Sequence, residues 1–429
     1  MSEATAPEIS VQEQRPVAAT PTTQRLMSID ALRGFDMFWI VGADSLVYAL
    51  HHLSENRATS FLAYQLDHAE WEGFHFYDLI FPLFVFISGV SIVFSLTRII
   101  QQQGRAQAIK RVVRRSVLLF ILALIYSGGA SNSWPDIRLL GVLNRIALCY
   151  LFGGTIFCLV PWRGMIATAV SLLLGYWALM AWVPIRDIRL AKYPDKDHVL
   201  APNDIERLYG ERGTRDAAAI FYGTTNWVTG KYDKGYNLAN HLDFQFLPGR
   251  RWDFYWDPEG FLSTMPAIVT CLFGIFAGLL LRNGNVCDER KVVYLVSAGV
   301  AGVLVGFLWG TEFPVVKKIW TSSYVLVAGG YSAILLGAFY YVVDILKIQK
   351  WCRPFVWMGM NSITIYMTKN FLGGSFSRLA SRLVGGDVET YINKYIATGL
   401  GEVVLSITGL LLAFWFVHFL YRRKIFLRL

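Results

Sequence analysis

Charged residues, cysteines and the short motifs of several common enzyme classes are all scarce in this chain of 429 residues. Only 17% of the residues are Asp, Glu, Lys or Arg, whereas 54% are hydrophobic. The sequence contains no GxxxxGK(S/T) phosphate loop, no GxSxG nucleophile elbow and no HExxH zinc motif. These absences argue against a P-loop nucleotide hydrolase, an α/β-hydrolase and a zinc metalloprotease. The low content of charge argues against an ordinary soluble protein.

The five cysteines show no pattern that predicts a disulfide framework or a metal site. None is paired at the short spacings that zinc sites and redox motifs use. They fall in predicted spans or in loops that the charge pattern places in the cytoplasm. The cysteines are Cys149, Cys158, Cys271, Cys287 and Cys352. The sequence therefore predicts neither a bound metal nor a structural disulfide.

Long apolar segments are abundant, and they set the fold class. A helix needs about 20 apolar residues to cross the hydrocarbon core of a bilayer. Segments of this kind occur at 29–50, 74–97, 112–129, 139–160, 164–184, 260–281, 291–310, 322–344, 355–372 and 399–421. The sequence thus predicts an all-α polytopic membrane protein with about ten transmembrane helices.

The formal net charge of +9 invites a nucleic-acid interpretation, but the placement of the basic residues contradicts it. Lys and Arg cluster in alternate loops, for example at 98–115, 282–291 and 422–428. The opposite short loops hold fewer of them. By the positive-inside rule both termini then lie in the cytoplasm, which agrees with an even number of spans. The predicted partner of this charge is the lipid bilayer and not nucleic acid.

Two segments lie outside the predicted spans. Residues 1–24 are small and polar, which predicts a disordered cytoplasmic tail before a membrane domain at 25–429. Residues 185–259 form one long extracytoplasmic loop. Its second half is dense in Tyr, Trp, Phe, Asp and Asn. Such a mixture is typical both of carbohydrate sites and of folded caps with interfacial aromatic residues, and the sequence does not decide between the two.

Ionisable groups in the first span and the following loop indicate acid–base chemistry. Ionisable residues inside a membrane usually face a cavity or a partner. Asp30 and Arg33 can pair on one helical face, whereas Asp44 needs another partner. His68, in the short loop that returns the chain to the membrane, is the nearest candidate in sequence. A carboxylate that fixes one imidazole tautomer makes a general base, so Asp44 and His68 are the predicted catalytic pair.

Polar side chains in two later spans form a second group. If these side chains form hydrogen bonds between helices, their role is structural. Two basic groups and three amides inside a bundle also suit an anionic ligand that contains amides. The side chains are Asn144, Arg145, Asn361, Ser362, Lys369 and Asn370. We expect them, together with Arg33, to line a ligand channel.

Seven stretches of the chain carry a family resemblance. They are RLMSIDALRGFDMFWIVGADS, DHAEWEGFHFYDLIFPLFVFISG, IRLLGVLNRIALCYLF, WDPEGFLSTMPAIV, FPVVKKIWTSSYVLVAGGYSAILL, MGMNSITIYM and YRRKIFLRL. In order and spacing they resemble the membrane part of the heparan-α-glucosaminide N-acetyltransferase family, over residues 25–429. Members of this family use cytosolic acetyl-CoA to acetylate the terminal glucosamine of heparan sulfate across a membrane. The resemblance implies an acetyltransferase with acetyl-CoA as cosubstrate and an amino sugar as acceptor.

The resemblance also implies roles for particular residues. The family's active-site histidine lies in an HAxWxG stretch and corresponds to His68. Its catalytic asparagine corresponds to Asp44, where this chain departs from the family pattern. Acetyl-CoA is expected to enter from the cytoplasm between the helices, and the protein is expected to be a homodimer in the cytoplasmic membrane. The predicted acceptor contacts are Glu70, Trp71, Asp257 and Glu259.

Two other functions fit part of the same pattern. An O-acyltransferase that modifies envelope polysaccharides would use a similar histidine and acid, with a hydroxyl as acceptor. A transporter would use Asp44, Arg145 and Lys369 to move a sugar or protons without chemistry. No internal repeat of the kind found in many transporters is visible. Consumption of acetyl-CoA separates the two enzymes from the transporter.

Overall fold

The computed structural model describes residues 26–129, 131–190 and 213–427. The predicted tail at 1–24 lies outside these residues. The described chain is mainly helical. Its α-helices are α1 Met27–Phe38, α2 Asp44–Leu53, α3 Arg57–Leu66, α4 Phe76–Gln103, α5 Arg105–Tyr126, α6 Val142–Leu159, α7 Trp162–Trp182, α8 Gly213–Gly223, α9 Leu238–Phe246, α10 Thr264–Arg282, α11 Asp288–Trp309, α12 Ser322–Phe339, α13 Arg353–Met360, α14 Ser362–Phe371, α15 Phe376–Val384, α16 Gly386–Tyr395 and α17 Leu400–Arg422.

Seven of the described helices are long and apolar enough to cross a membrane, which confirms the all-α membrane class. They are α4, α6, α7, α10, α11, α17, and α12 with the π-helical turn that extends it to Ile345. The other three predicted spans coincide with the broken pairs α1–α2 and α13–α14 and with α5, whose first turns are basic. The total of about ten spans and the cytoplasmic termini stay predictions.

Small residues allow the helices at the centre of the bundle to approach closely. Gly89 of α4 faces the carbonyl of Cys271 in α10, where an added Cβ would lie 2.0 Å from that oxygen. Gly274 of α10 meets the carbonyl of Phe86 in the same way, at 1.9 Å. Glycine permits such backbone contacts in membrane helices because it has no side chain. The α4–α10 contact therefore holds the first turn of α4 in a fixed place.

The first span is interrupted by a π-helical turn, Trp39–Ala43, between α1 and α2. Gly42 there adopts a φ of 155°, which a residue with a side chain rarely adopts. The Lys369 ammonium donates to the carbonyl oxygen of Ile40 at 2.5 Å. Because a break in a membrane helix leaves backbone carbonyls without partners, this contact satisfies one of them. Lys369, expected to line a ligand channel, is used to stabilise the break.

A second break lies beside the first. Helices α13 and α14 are separated at Asn361, whose φ of −118° and ψ of 22° are not helical. Helix α1 packs closely on α13, since added Cβ atoms on Gly34 and Gly359 would overlap the carbonyls of Phe355 and Asp30 at 1.6 and 1.9 Å. The two interrupted spans therefore lie side by side.

The described parts of the long loop fold into a cap. Two short antiparallel ladders pair β1 Ile185–Arg186 with β2 Trp227–Val228 and β3 Tyr232–Asp233 with β4 Tyr236–Asn237. Helices α8 and α9 accompany them, and the cap has apolar clusters that continue into the tops of the helices. We name the end of the bundle that carries the cap the upper end, and the opposite end the lower end.

Candidate active site

A cavity of about 450 Å³ opens at the upper end of the bundle, beneath the cap. We name it the upper cavity. Its polar wall contains His68, Tyr77, Asp78, Arg138, Trp252, Glu259, Lys317 and Lys318. Its apolar floor contains Met37, Ile40, Ile80, Phe81, Phe84, Leu143, Ile146 and Ile363. Ionisable groups are thus concentrated on one side of an otherwise apolar chamber.

His68 and Asp78 form a hydrogen-bonded pair in this wall. The distance from His68 Nδ1 to Asp78 Oδ1 is 2.8 Å. Asp78 is the third residue of α4, and its Oδ2 accepts hydrogen bonds from the backbone N–H groups of Ala69 at 3.2 Å and His75 at 3.1 Å. Side chains at this position often bond back to the residue before the helix. The start of the helix therefore fixes the carboxylate, and the carboxylate orients the imidazole, whose side chain is 49% exposed.

Asp78 corrects the expected pairing of His68 with Asp44. Asp44 Oδ2 instead accepts a hydrogen bond from the Tyr77 hydroxyl at 2.8 Å. The ring of Tyr77 lies beside that of His68, with 4.9 Å between centroids. Sequence analysis did not select Asp78, because it lies inside an apolar run. The signal that could have identified it is an acidic residue near the start of the predicted span 74–97, directly after the histidine loop.

Lys317 joins the same pair from a distant part of the chain. Its Nζ lies 3.2 Å from Asp78 Oδ1 and 3.0 Å from His68 Nδ1. Burial lowers the pKa of the Lys317 ammonium, and the neighbouring Asp78 opposes this change. No local sequence pattern predicts this contact, because Lys317 follows His68 by 249 residues.

An ion-pair cluster forms another part of the polar wall. The Arg138 guanidinium donates from Nε and Nη2 to the two oxygens of Asp257, at 2.8 and 2.7 Å, and from Nη2 to Glu259 Oε2 at 2.6 Å. Burial would lower the pKa of Arg138, but these carboxylates hold it above its ordinary value. Burial and the nearby Asp257 raise the pKa of Glu259 to about 7. Arg138 also lies over the Trp252 ring, 5.1 Å from its centroid.

The four predicted acceptor contacts are in different places. Glu259 lines the upper cavity, and Asp257 lies behind it, bound to Arg138. Glu70 is exposed on the loop after His68. Trp71 donates from its ring N–H to the Tyr232 carbonyl at 2.9 Å and packs on Trp256 of the cap. Trp71 therefore anchors the cap and does not line the cavity.

A second cavity of about 120 Å³ extends the first toward the lower end. We name it the lower cavity. Its polar wall contains Arg33, Ser88, Ser91, Arg115, Tyr150, Asn361, Ser362 and Thr364. The two cavities share Phe84, Leu143, Ile146, Ser362 and Ile363. From Asp78 to Ser91, α4 rises by roughly 20 Å, and we name the two adjoining cavities along this length the passage.

Polar atoms in the lower cavity are incompletely paired. The buried Asn361 Oδ1 and Arg115 Nε have no hydrogen-bond partner among the described residues. Arg115 stacks on Tyr150, 4.6 Å from the ring centroid. Arg33 donates to Ser91 Oγ at 2.7 Å and pairs with Asp30 at 3.5 Å. Two guanidinium groups and a free amide oxygen suit an anionic ligand that also carries N–H groups.

Arg33, Asn361 and Ser362 line the lower cavity, but the other four predicted channel residues, among them Lys369 at the first break, line neither cavity. The Arg145 guanidinium donates to the Gly260 carbonyl at 3.2 Å and to Ser263, and lies over the Trp320 ring. Asn144 donates to the Phe120 carbonyl at 3.5 Å, and Asn370 donates to the Tyr126 carbonyl at 2.6 Å. These side chains join helices because buried carbonyls need donors where water is absent.

Comparison with known proteins repeatedly finds one kind of enzyme. A sequence profile described as "Heparan-alpha-glucosaminide N-acetyltransferase, catalytic" matches residues 25–192. The mouse protein named heparan-alpha-glucosaminide N-acetyltransferase is 26% identical over 388 residues, which cover 84% of this chain and 56% of that protein. The human protein of the same name is 28% identical over 332 residues, covering 70% of this chain and 48% of that protein. The chain is thus similar to heparan-alpha-glucosaminide N-acetyltransferases.

The heparan-alpha-glucosaminide N-acetyltransferase relatives are longer than the region they share with this chain, which spans about half of their length. The profile match at 25–192 contains His68, Asp78, Arg138 and Arg115. Lys317 and the other late residues of the site lie beyond it. No group of three or more His, Cys, Asp or Glu side chains able to hold a metal ion occurs among the residues that the structure describes.

Proposed function

We propose that this protein transfers the acetyl group of acetyl-CoA to the amine of an amino sugar such as glucosamine or a glucosamine-ended oligosaccharide. The observation that supports this most directly is the His68–Asp78 pair at the upper end of a passage that begins in a cationic pocket. The names of the relatives point to the same reaction. This passage suits a long, thin, anionic donor whose reactive tip reaches the base.

The lower cavity is the proposed donor site. Arg33 and Arg115 offer guanidinium groups to phosphate oxygens, a pairing that is strong and geometrically specific. Asn361 Oδ1 offers an acceptor to an amide N–H of the pantetheine arm. The apolar residues shared by the two cavities would surround the rest of the arm. The positive-inside pattern predicts that this end lies in the cytoplasm, where acetyl-CoA is available.

The upper cavity is the proposed acceptor site. Glu259 presents a carboxylate to the amine or a hydroxyl of the sugar, and the Trp252 ring, 60% exposed, offers an apolar face to the sugar ring. Both groups are held by Arg138. The acceptor would therefore approach from the extracytoplasmic side of the cytoplasmic membrane, opposite to the donor.

The reaction needs one base. With Nδ1 donating to Asp78, His68 Nε2 keeps a lone pair directed away from the carboxylate. The neutral amine attacks the thioester carbon while Nε2 takes the proton that the nitrogen loses. The carbon–sulfur bond then breaks, and this proton passes to the leaving thiolate. In a two-step variant Nε2 itself accepts the acetyl group first, which would give ping-pong kinetics.

The first test is transfer of labelled acetyl from acetyl-CoA to glucosamine and to short glucosamine-ended oligosaccharides by purified protein in detergent. We expect His68→Ala to lose activity by a factor on the order of a hundred to ten thousand, with binding of CoA retained. The matched control is His52→Ala, because His52 is an exposed residue paired with Glu402 at 3.0 Å, outside both cavity walls.

Two results would contradict the proposal. If the protein binds CoA but acetylates only hydroxyl acceptors, it is an O-acyltransferase that uses the same base. If it does not bind CoA at all, the connected cavities become a transport route. Uptake of a sugar into proteoliposomes without acetyl-CoA would then be the next measurement.

A further inference from the structure

Lys317 closes a triangle of polar atoms with the proposed base and its carboxylate. The three edges are 2.8 Å from His68 Nδ1 to Asp78 Oδ1, 3.0 Å from Nδ1 to Lys317 Nζ, and 3.2 Å from Nζ to Oδ1. Nδ1 can donate to Asp78 or accept from Lys317, but not both at once. The choice decides whether the other ring nitrogen, Nε2, is free to act as a base.

The carboxylate can serve both donors. Each carboxylate oxygen has two lone pairs, so Asp78 Oδ1 accepts from Lys317 Nζ and from His68 Nδ1 together. Lys317 then donates a hydrogen bond to Asp78 and not to the imidazole, so Nδ1 is left to donate. This arrangement satisfies all three groups and gives the tautomer with a free Nε2.

The charge of Lys317 matters as much as its hydrogen bond. A buried carboxylate beside a histidine favours the doubly protonated, cationic ring. Such a ring has no lone pair and is neither a base nor a nucleophile. An ammonium on the same oxygen compensates the charge of Asp78, whose side chain is fully buried and therefore poorly screened by solvent.

We propose that Lys317 is a positioning residue that neutralises Asp78 and thereby keeps His68 uncharged, with Nε2 free toward the cavity. This inference rests on the proposed role of His68. The loop that carries Lys317 is tied to the histidine loop by the backbone bridge of Val316 with Glu72 and by the hydrogen bond from Gly73 N–H to the Val315 carbonyl at 3.0 Å. These backbone contacts, directly before Lys317, hold its loop beside that of His68.

Other charged or titratable groups around His68 are placed differently. Asp67 accepts from the backbone N–H of His68 and not from its ring. Lys318, next in the chain, is paired with Asp253 at 3.6 Å. The remaining neighbours along the cavity wall are Tyr77 with Asp44 behind it, Arg138 and Glu259. In the described part of the chain, Lys317 is the cationic side chain that contacts Asp78 together with His68.

The test compares pH profiles of kcat/KM for Lys317→Met, Lys317→Arg and wild type. Loss of the ammonium should move the acid limb of the profile upward by about one pH unit or more, because a neighbouring charge typically has an effect of that size. Activity on the acid side then falls about tenfold or more and recovers at high pH, while the KM for acetyl-CoA stays near that of wild type. Lys317→Arg keeps the charge and should keep the limb close to its wild-type position.

Lys231→Met is the control, since it removes the same charge from an exposed lysine of the cap that lines neither cavity and should leave the acid limb in place. An equal loss at every pH in Lys317→Met, with the limb unmoved, would show a merely structural role and overturn the inference. An equal shift of the limb in Lys231→Met would overturn it too, because the effect would then not depend on the contact with Asp78.

A second measurement needs no acceptor and separates this inference from the proposed reaction. Diethylpyrocarbonate modifies uncharged imidazole, and mass spectrometry of the peptide that contains His68 reports its extent. We expect the pH dependence of this modification to move upward in Lys317→Met. If it moves in a protein that acetylates no amine, Lys317 acts as inferred and the proposed function fails. If it does not move, the inference fails even where acetyl transfer is confirmed.

Discussion

The upper and lower cavities differ in how their polar groups are satisfied. In the upper cavity Asp78 accepts from His68, Lys317 and two backbone N–H groups, and Arg138 is bound to two carboxylates. In the lower cavity Asn361 Oδ1 and Arg115 Nε are buried without a partner among the described residues. The chain completes its acid–base site by itself, whereas the lower cavity has polar atoms left for a ligand.

The difference has an energetic reason. A buried polar atom without a hydrogen bond costs about 1 to 3 kcal/mol, so a stable protein retains few of them. Two such atoms in the wall of one cavity are explained if a bound ligand supplies the missing contacts. Donor binding would then depend on the lower cavity, and the chemical step would depend on the upper one.

The largest expected effect separates the two carboxylates near His68. Asp78→Asn should lower kcat by a factor on the order of a hundred or more, because the uncharged amide no longer stabilises the imidazolium and can turn its NH2 group toward Nδ1, which selects the tautomer without a free Nε2. Asp44→Asn should lower kcat less than tenfold, because an amide oxygen still accepts from the Tyr77 hydroxyl. The measurement is kcat for acetyl transfer at saturating donor and acceptor.

The change at Asp44 also restores the residue type that the family resemblance implies at this position. Equal losses in the two variants would show that Asp44 takes part in the chemistry directly. The upper cavity would then have two carboxylates in that role and not one.

A smaller effect is expected at the lower cavity, and it should appear in KM. Arg115→Met should raise the KM for acetyl-CoA by roughly tenfold to a hundredfold with kcat little changed, because a charged hydrogen bond contributes about 1.5 to 3 kcal/mol. Arg114→Met is the control, since Arg114 is the neighbouring residue on the exposed face of α5. A change in kcat without a change in KM would contradict the assignment of the donor to this cavity.

The smallest effect concerns stability and pH. The pKa of Glu259 is raised to about 7 from an ordinary value of 4.5, so its stabilising contribution is complete below about 4.5 and is lost as the pH rises through 7. Glu259→Gln removes this dependence and still offers Arg138 an oxygen. The melting temperature in detergent should therefore fall less between pH 5 and pH 8 in the variant than in wild type. Identical slopes would show that Glu259 does not titrate in this range.

Asp243 provides an internal reference for that comparison. Burial raises its pKa to about 7 as well, and it accepts hydrogen bonds from the backbone N–H groups of Asp257 and Phe261. Because Asp243 is present in both proteins, part of the slope should persist in Glu259→Gln. The difference between the two slopes is the share of Glu259.

Prediction from the sequence succeeded where the relevant signal is local. Apolar segments identified the seven long helices, and the HAxWxG stretch singled out His68, whose catalytic role stays a prediction. The hydrogen bonds of Asn144, Arg145 and Lys369 to distant carbonyls could not be predicted, because a polar residue in a membrane helix has the same sequence pattern whether it faces a ligand or a backbone carbonyl. Only the neighbouring helix distinguishes these cases.

The sequence by itself determined the membrane class and the resemblance to heparan-α-glucosaminide N-acetyltransferases, and it singled out the histidine as a candidate, because hydrophobic segment length and short motifs are properties of neighbouring residues. The tertiary structure alone decided the partners of that histidine. Asp78 reaches it because α4 starts at a fixed place, and Lys317 reaches it from 249 residues away. Contacts between such distant residues depend on how the helices pack, and no local pattern of side chains records that packing.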